Sequence, residues 1–161
     1  MIKNPRKAPW ISIVGGHNAN SETEKLAEEV GKLLAEKGAV IVCGGLGGVM
    51  EAVARGAKNA GGTVIGILPG SSREKANEYI DYPIPTGLGH ARNAIVPLVG
   101  DAVIAIDGSW GTLSEISFAQ IYGKTVVGLA SFEIKGVKQA KTPKEAVELA
   151  LKSVKAYKSG K

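Results

Sequence analysis

The sequence predicts an α/β fold of three layers, with helices on both faces of a central parallel sheet. Short apolar runs alternate with longer stretches of helical periodicity, the pattern of strands joined through crossover helices. The runs are apolar at nearly every position rather than every second one, as strands covered on both sides require. Glycine clusters follow several of these runs, and in such sheets ligands bind beyond the carboxyl ends of the strands.

Trp10–Val14 reads as the first strand, followed by the loop Gly15-Gly16-His17-Asn18-Ala19-Asn20. Ser21-Glu22-Thr23-Glu24 has the form of a capping box opening a helix, with Leu26, Val30, Leu33 and Leu34 on one face and Gly38 as its stop. Ala39–Cys43 is the second strand. Gly44-Gly45-Leu46-Gly47-Gly48 then leads into a helix carrying Val49, Met50, Val53, Ala57 and Ala60. Gly61-Gly62 ends that helix, and Thr63–Leu68 is the third strand. Tyr79–Ile84 reads as a short strand and 89–99 as a helix kinked or ended by Pro97. Its apolar face offers a surface for self-association. Ala102–Ile106 is a strand, Asp107 to Gly111 a loop, and Thr112-Leu113-Ser114-Glu115 a second capping box opening a helix to about Tyr122. Val126–Ala130 is the last strand read from the pattern. A terminal helix begins at Thr142 or Pro143, with Ala146, Val147, Ala150, Leu151 and Val154 inward.

A length of 161 residues suits one domain spanning 1–161, with a core over 8–134 and a lysine-rich C-terminal helix within 135–161. The net charge of +5 is not spread evenly. Residues 135–161 hold eight lysines and two glutamates, whereas 1–134 carry twelve basic and thirteen acidic side chains. A broad basic face for nucleic acid is therefore not expected, and the 5% aromatic content leaves few stacking platforms. No apolar run approaches the roughly 20 residues needed to span a bilayer, and the N-terminal residues lack a signal-peptide core. One cysteine, Cys43, excludes an internal disulfide and reads as a small buried hydrophobe. These features together suggest a cytoplasmic protein.

The chemistry resides in the glycine loops. Gly44, Gly45, Leu46, Gly47 and Gly48 join a strand to a helix. Their uncovered amides, the first helical amides as far as Met50, and the positive end of the helix dipole suit a phosphate. Gly108, Ser109, Trp110, Gly111 and Thr112 form a second such loop. Gly15, His17 and Asn18 of the first loop stand where they could touch the same ligand. No Gly-x-x-x-x-Gly-Lys-Ser/Thr motif is present, so Walker-type ATP chemistry is not indicated. The two histidines have no partners at metal-ligand spacing, so no metal is expected. Arg92 stands out because arginine is scarce, four against sixteen lysines, and a forked contact to phosphate or carboxylate suits it. Glu115 reads two ways: as a ligand-site carboxylate, or as a capping residue bonded to the Thr112 amide.

Gly44 to Ala54, Gly61 to Pro69, Arg92-Asn93 and Gly108 to Glu115 together resemble the lonely guy (LOG) superfamily, once labelled "possible lysine decarboxylase". Within it, the chain is most similar to the molybdenum-cofactor-carrier-like branch. The resemblance covers about residues 9–130. It implies a Rossmann-like fold, a homodimer or tetramer, and one of two activities. LOG-type members are phosphoribohydrolases that cleave the N-glycosidic bond of cytokinin or AMP-like nucleotides, with no cofactor required for the chemistry. Their catalytic arginine and glutamate would fall on Arg92 and Glu115. The carrier branch would instead hold a molybdopterin-type ligand without turnover.

The departures from the LOG pattern are specific. In the Pro-Gly-Gly-x-Gly-Thr-x-x-Glu signature, the proline is Asp107 and the second glycine is Ser109. The upstream His-Glu-Arg-Lys is His90-Ala91-Arg92-Asn93. These changes spare the phosphate-binding backbone and weigh against hydrolysis. The sequence thus predicts a protein that binds a small phosphorylated ligand, a nucleotide monophosphate or a molybdopterin-type cofactor, with nucleotide hydrolysis as the alternative. Nothing singles out a Schiff-base lysine, so decarboxylation is set aside. DNA-processing proteins share a related fold, but the charge distribution tells against that partner.

Overall fold

The computed structural model describes residues 4–159; Met1–Lys3 and the last two residues of the expected terminal helix lie outside the described residues. The strands are β1 (Trp10–Gly15), β2 (Val40–Cys43), β3 (Thr63–Leu68), β4 (Tyr82–Pro85), β5 (Ala102–Ile106), β6 (Thr125–Leu129) and β7 (Val137–Ala140). The helices are α1 (Ser21–Glu36), α2 (Val49–Asn59), α3 (Val96–Val99), α4 (Trp110–Ile121) and α5 (Pro143–Ser159). All seven strands form one sheet in the order β4-β3-β2-β1-β5-β6-β7, and every neighbouring pair is parallel.

Alternation along the central strands separates the two sides of the core. Ile11, Ile13, Ile41, Cys43, Ile104 and Ile106 pack beneath α1, α2 and α5. Val14, Val42, Val103, Ala105 and Val126 pack against Val96 of α3 and Ile116 and Ala119 of α4. Each large aliphatic side chain buried in this way contributes roughly 1.5–3 kcal/mol. The chain runs outward from β1 through β2 and β3 to β4, then returns to the other side of β1 to add β5, β6 and β7. The reversal between β1 and β5 opens a crevice at their carboxyl ends.

Several expectations are corrected. Helix α1 begins at Ser21, but its cap is Asn20, whose Oδ1 accepts from the Thr23 amide at 2.8 Å. The apparent Ser21 capping box is therefore one residue late. The helix expected over 89–99 is a 3-10 segment, Gly89–Ala94, followed by the single turn α3 with Pro97 in its first turn. The fourth strand begins at Tyr82 rather than Tyr79, because Asn77 turns the chain there with its Oδ1 accepting from the Tyr79 amide. Residues 135–142 are not helical: they hold β7, an edge strand with both central residues exposed. Helix α4 starts at Trp110, two residues before the Thr112 box.

The loop after β5 departs from the path a proline could take. Asp107 has φ 52°, a left-handed conformation that costs most side chains and that aspartate tolerates better than most. Its amide donates to the Leu129 carbonyl at 3.3 Å and its carbonyl accepts from Ser131 Oγ at 2.7 Å. Proline has φ fixed near −65° and no N–H. Asp107→Pro is therefore expected to lose about 3 kcal/mol or more, whereas Asp107→Gly should stay within about 1 kcal/mol of wild type. Urea unfolding of both variants checks this; a proline variant with the wild-type midpoint contradicts the loop geometry.

Candidate functional site

A cavity of about 620 Å³ opens at the switch point, a size within the range of small-ligand sites. From the end of β1 comes Gly15 and from the loop after it the exposed His17; from the loop after β2, Leu46; and from the first turn of α2, Met50. Ser109, Trp110, Gly111, Thr112 and Glu115 line it from the start of α4, and Arg92 from the 3-10 segment. The sequence-predicted residues Asn18, Gly44, Gly45, Gly47, Gly48 and Gly108 do not line it directly. Pro69, Gly89, His90, Asn93 and Ser114 do, although the sequence reading assigned none of them to the ligand site.

The non-lining glycines shape the wall. Gly48 caps α2 with φ 64°, and a Cβ there would strike the carbonyl oxygens of Gly16 and His17. A Cβ on Gly44 would sit 2.5 Å from Met50 Sδ and 2.7 Å from Arg92 Nη1. Only a glycine lets the guanidinium approach the backbone so closely. Asn77, absent from the sequence reading, holds the same loop from outside. Its amide donates to the Gly45 carbonyl at 2.9 Å and its Nδ2 to the Leu46 carbonyl at 2.8 Å. Both carbonyl oxygens are thereby engaged outside the cavity.

The two glycine-rich helix starts are not equivalent. At α2, the Val49 amide is taken by the Gly16 carbonyl at 3.0 Å, and Glu51 places a carboxylate in the first turn. That acid already compensates the positive end of the dipole. At α4 the first turn holds no acidic residue. Ser109 and Thr112 form the capping box there, with the Ser109 amide donating to Thr112 Oγ1 at 3.2 Å. The Trp110 and Gly111 amides, at the first two helical positions, have no intrahelical acceptor. The α4 start is thus the stronger place for an anion.

This arrangement overturns the capping role for Glu115. It lies beyond the first turn of α4, only 6% exposed, and Ser109 and Thr112 cap the helix without it. Burial pushes its carboxyl up to about 8, with the nearby Arg92 charge pulling the other way. Arg92 is 7% exposed, and burial lowers its guanidinium while Glu115 and Cys43 oppose the shift. The two groups feel each other's charge but form no ion pair within 4 Å. Arg92 Nη1 donates to Asn93 Oδ1 at 3.2 Å, and Nε is buried without an acceptor. The wall therefore carries an incompletely paired cation beside an unpaired carboxyl. Cys43 is buried as expected, and burial pushes its thiol up to about 12. Among the described residues no cluster of His, Cys, Asp and Glu forms a metal site.

An all-parallel sheet of this order, with a cavity at its switch point, defines a Rossmann-like α/β domain. Within that class, residues 8–157 match the SLOG cluster4 family model, and the chain belongs to that family. An Archaeoglobus fulgidus protein of uncharacterised function is 44% identical over 148 residues, 91% of this chain and 97% of its own. The rice cytokinin riboside 5'-monophosphate phosphoribohydrolase LOG is 36% identical over 115 residues, 66% of this chain but 48% of the enzyme. The chain thus spans about half the length of that enzyme. Among solved structures, the molybdenum cofactor binding protein of Rippkaea orientalis superposes with TM-score 0.86 at 36% identity, covering 92% of this chain and 98% of that one. The molybdenum cofactor carrier protein of Chlamydomonas reinhardtii gives 0.85 at 32% identity, covering 93% and 99%. Among the described residues no helix is long and apolar enough to cross a membrane.

The pH dependence of stability checks the Glu115 environment. Its folded pKa lies above the ordinary glutamate value near 4.3, so the native state holds a proton that the unfolded chain releases. This contribution is fully present below about pH 4 and is lost as pH rises through about 8. Glu115→Gln cannot titrate. Its unfolding free energy relative to wild type should climb by roughly 5 kcal/mol between pH 4 and 9 and then level off. A pH-independent difference contradicts the buried, unpaired carboxyl.

Proposed function

We propose that this protein binds a phosphorylated pterin of the molybdopterin type in the switch-point cavity and carries it without turnover. The observation that carries this reading is the buried, incompletely paired Arg92 facing the uncompensated start of α4. Together they offer a forked cation and free amides to one phosphate, the kind of charge-assisted contact that favours a dianion. The remaining wall, with Leu46, Met50, Pro69 and Trp110, is apolar and aromatic and suits a flat heterocycle. Support also comes from the two molybdenum-cofactor proteins, which match over nearly the full length of both chains. The phosphoribohydrolases match over about half of theirs.

One observation favours hydrolysis of a nucleoside 5'-monophosphate as the second reading. Glu115 sits inside the cavity beside Arg92, where a carboxyl that keeps its proton to about 8 could deliver it to a departing base as water adds to the ribose. Aspartate in place of the signature proline weighs against it, because the loop at Asp107 follows a backbone path closed to proline.

Titration with molybdenum cofactor, followed by Trp fluorescence, tests the carrier reading. Wild type is expected to bind, and Arg92→Ala to bind about 10- to 100-fold more weakly, the loss of one or two charge-assisted hydrogen bonds. Incubation with AMP should release no adenine. Adenine release at steady turnover, abolished by Glu115→Gln, replaces the carrier reading with the hydrolase one.

A further inference from the structure

We propose that Asn93, backed by Ser114, is a positioning residue that fixes the plane of the Arg92 guanidinium against the cavity wall. Three hydrogen bonds form a directed chain. Arg92 Nη1 donates to Asn93 Oδ1 at 3.2 Å, Asn93 Nδ2 donates to Ser114 Oγ at 3.1 Å, and Ser114 Oγ donates to the Gly111 carbonyl at 2.6 Å. The Ser114 hydroxyl proton and one proton of the Asn93 amide each have one destination. The Ser114 proton is committed to Gly111, so Ser114 faces Asn93 as an acceptor. The guanidinium has only donors and needs an acceptor on its side. Turning the Asn93 amide over would set NH₂ against guanidinium and oxygen against a hydroxyl without a free proton. One amide orientation therefore satisfies both neighbours, and asparagine is the side chain that supplies an acceptor and a donor from a single short stem.

The chain joins the group that holds Arg92 to the helix start that offers its free amides. Asn93 is itself buried, so its hydrogen bonds are shielded from competing water. Its Nδ2 lies 3.6 Å from where a Gly111 Cβ would be, so the amide rests directly against the first turn of α4. A second tie, Tyr122 Oη to the Ala94 carbonyl at 2.8 Å, anchors the same 3-10 segment to the far end of α4 without touching Arg92. Tyr122 thus provides an internal control: removing it loosens the same segment but spares the Arg92 contact. A lysine at position 93 would offer no acceptor and would set a second cation beside Arg92.

The inference rests on the ligand reading above for its purpose, but its test does not require a ligand. Arg92 Nε is shielded from solvent, so its N–H should give a dispersed, slowly exchanging side-chain signal in ¹⁵N-resolved NMR of the free protein, assigned by its absence in Arg92→Lys. Asn93→Ala is expected to collapse that signal to the position and exchange rate of a free arginine. Asn93→Asp keeps the acceptor and should retain it, and Tyr122→Phe should lower the melting temperature while leaving it in place. AMP, used as a phosphate-bearing probe, should bind Asn93→Ala about 10-fold more weakly than wild type. An Arg92 signal unchanged in Asn93→Ala overturns the proposal, as does one lost equally in Tyr122→Phe. Should Asn93→Ala fail to fold, Ser114→Ala takes its place: it removes the fixed partner of the Asn93 amide and should shift the Arg92 signal that Tyr122→Phe retains, and a signal unchanged in Ser114→Ala overturns the proposal. Failure of AMP to bind wild type counts against the ligand reading alone, because the NMR comparison stands without it.

Discussion

Burying one guanidinium is the constraint on which the rest of the site depends. A cation taken out of water is costly unless neighbours replace its solvation. Here the replacement is partial. Asn93 Oδ1 accepts from Arg92 Nη1, Glu115 keeps its proton up to about 8 and forms no ion pair with the guanidinium, and Nε finds no acceptor. The surrounding features follow from that placement. Position 44 is glycine because a Cβ there would meet Nη1. Residues 89–94 form a 3-10 segment with Arg92 and Asn93 both buried, and the first residues of α4 line the same cavity. An arginine held this way resembles a half-made ion pair that a ligand phosphate would complete.

The sheet order explains why these parts converge. Because β1 lies between β2 and β5, the loops that follow all three open on one crevice. The resemblance between the two glycine-rich helix starts is nevertheless misleading. The Val49 amide and Glu51 use up much of what α2 could offer an anion, whereas α4 keeps its first amides and lacks an acid in its first turn. The glycines after β2 serve mainly to let the chain pass close to Arg92 and to the loop after β1. Asn77 holds the carbonyl oxygens of that segment away from the cavity. Geometry divides the work between two loops that composition makes look alike.

Most of the fold was legible because the central strands are continuous apolar runs and the glycines punctuate them. The edge strand β7 was not, since Val137-Lys138-Gln139-Ala140 buries only its ends and its exposed centre reads as surface. Helix caps shifted by one and three residues where two polar candidates competed: Asn20 won over Ser21, and Ser109 over Thr112. That shift mattered, because it freed Glu115 from the capping role its spacing suggested. Arg92 and Glu115 were visible as residues, but their burial and lack of a direct pairing are tertiary facts. Asn93 and Ser114 lie inside motifs that gave them no role of their own, and Asn77 lies outside every motif. They act through side-chain hydrogen bonds between segments far apart in the chain, which no local pattern records.

A crystal structure of the protein soaked in inorganic phosphate tests the central claim most directly. The account predicts a phosphate in the switch-point cavity, within hydrogen-bond reach of the Arg92 guanidinium and of the Trp110 and Gly111 amides. An empty cavity with phosphate bound elsewhere, for example in the groove between α1 and α2 lined by Lys25 and Lys32, would contradict it.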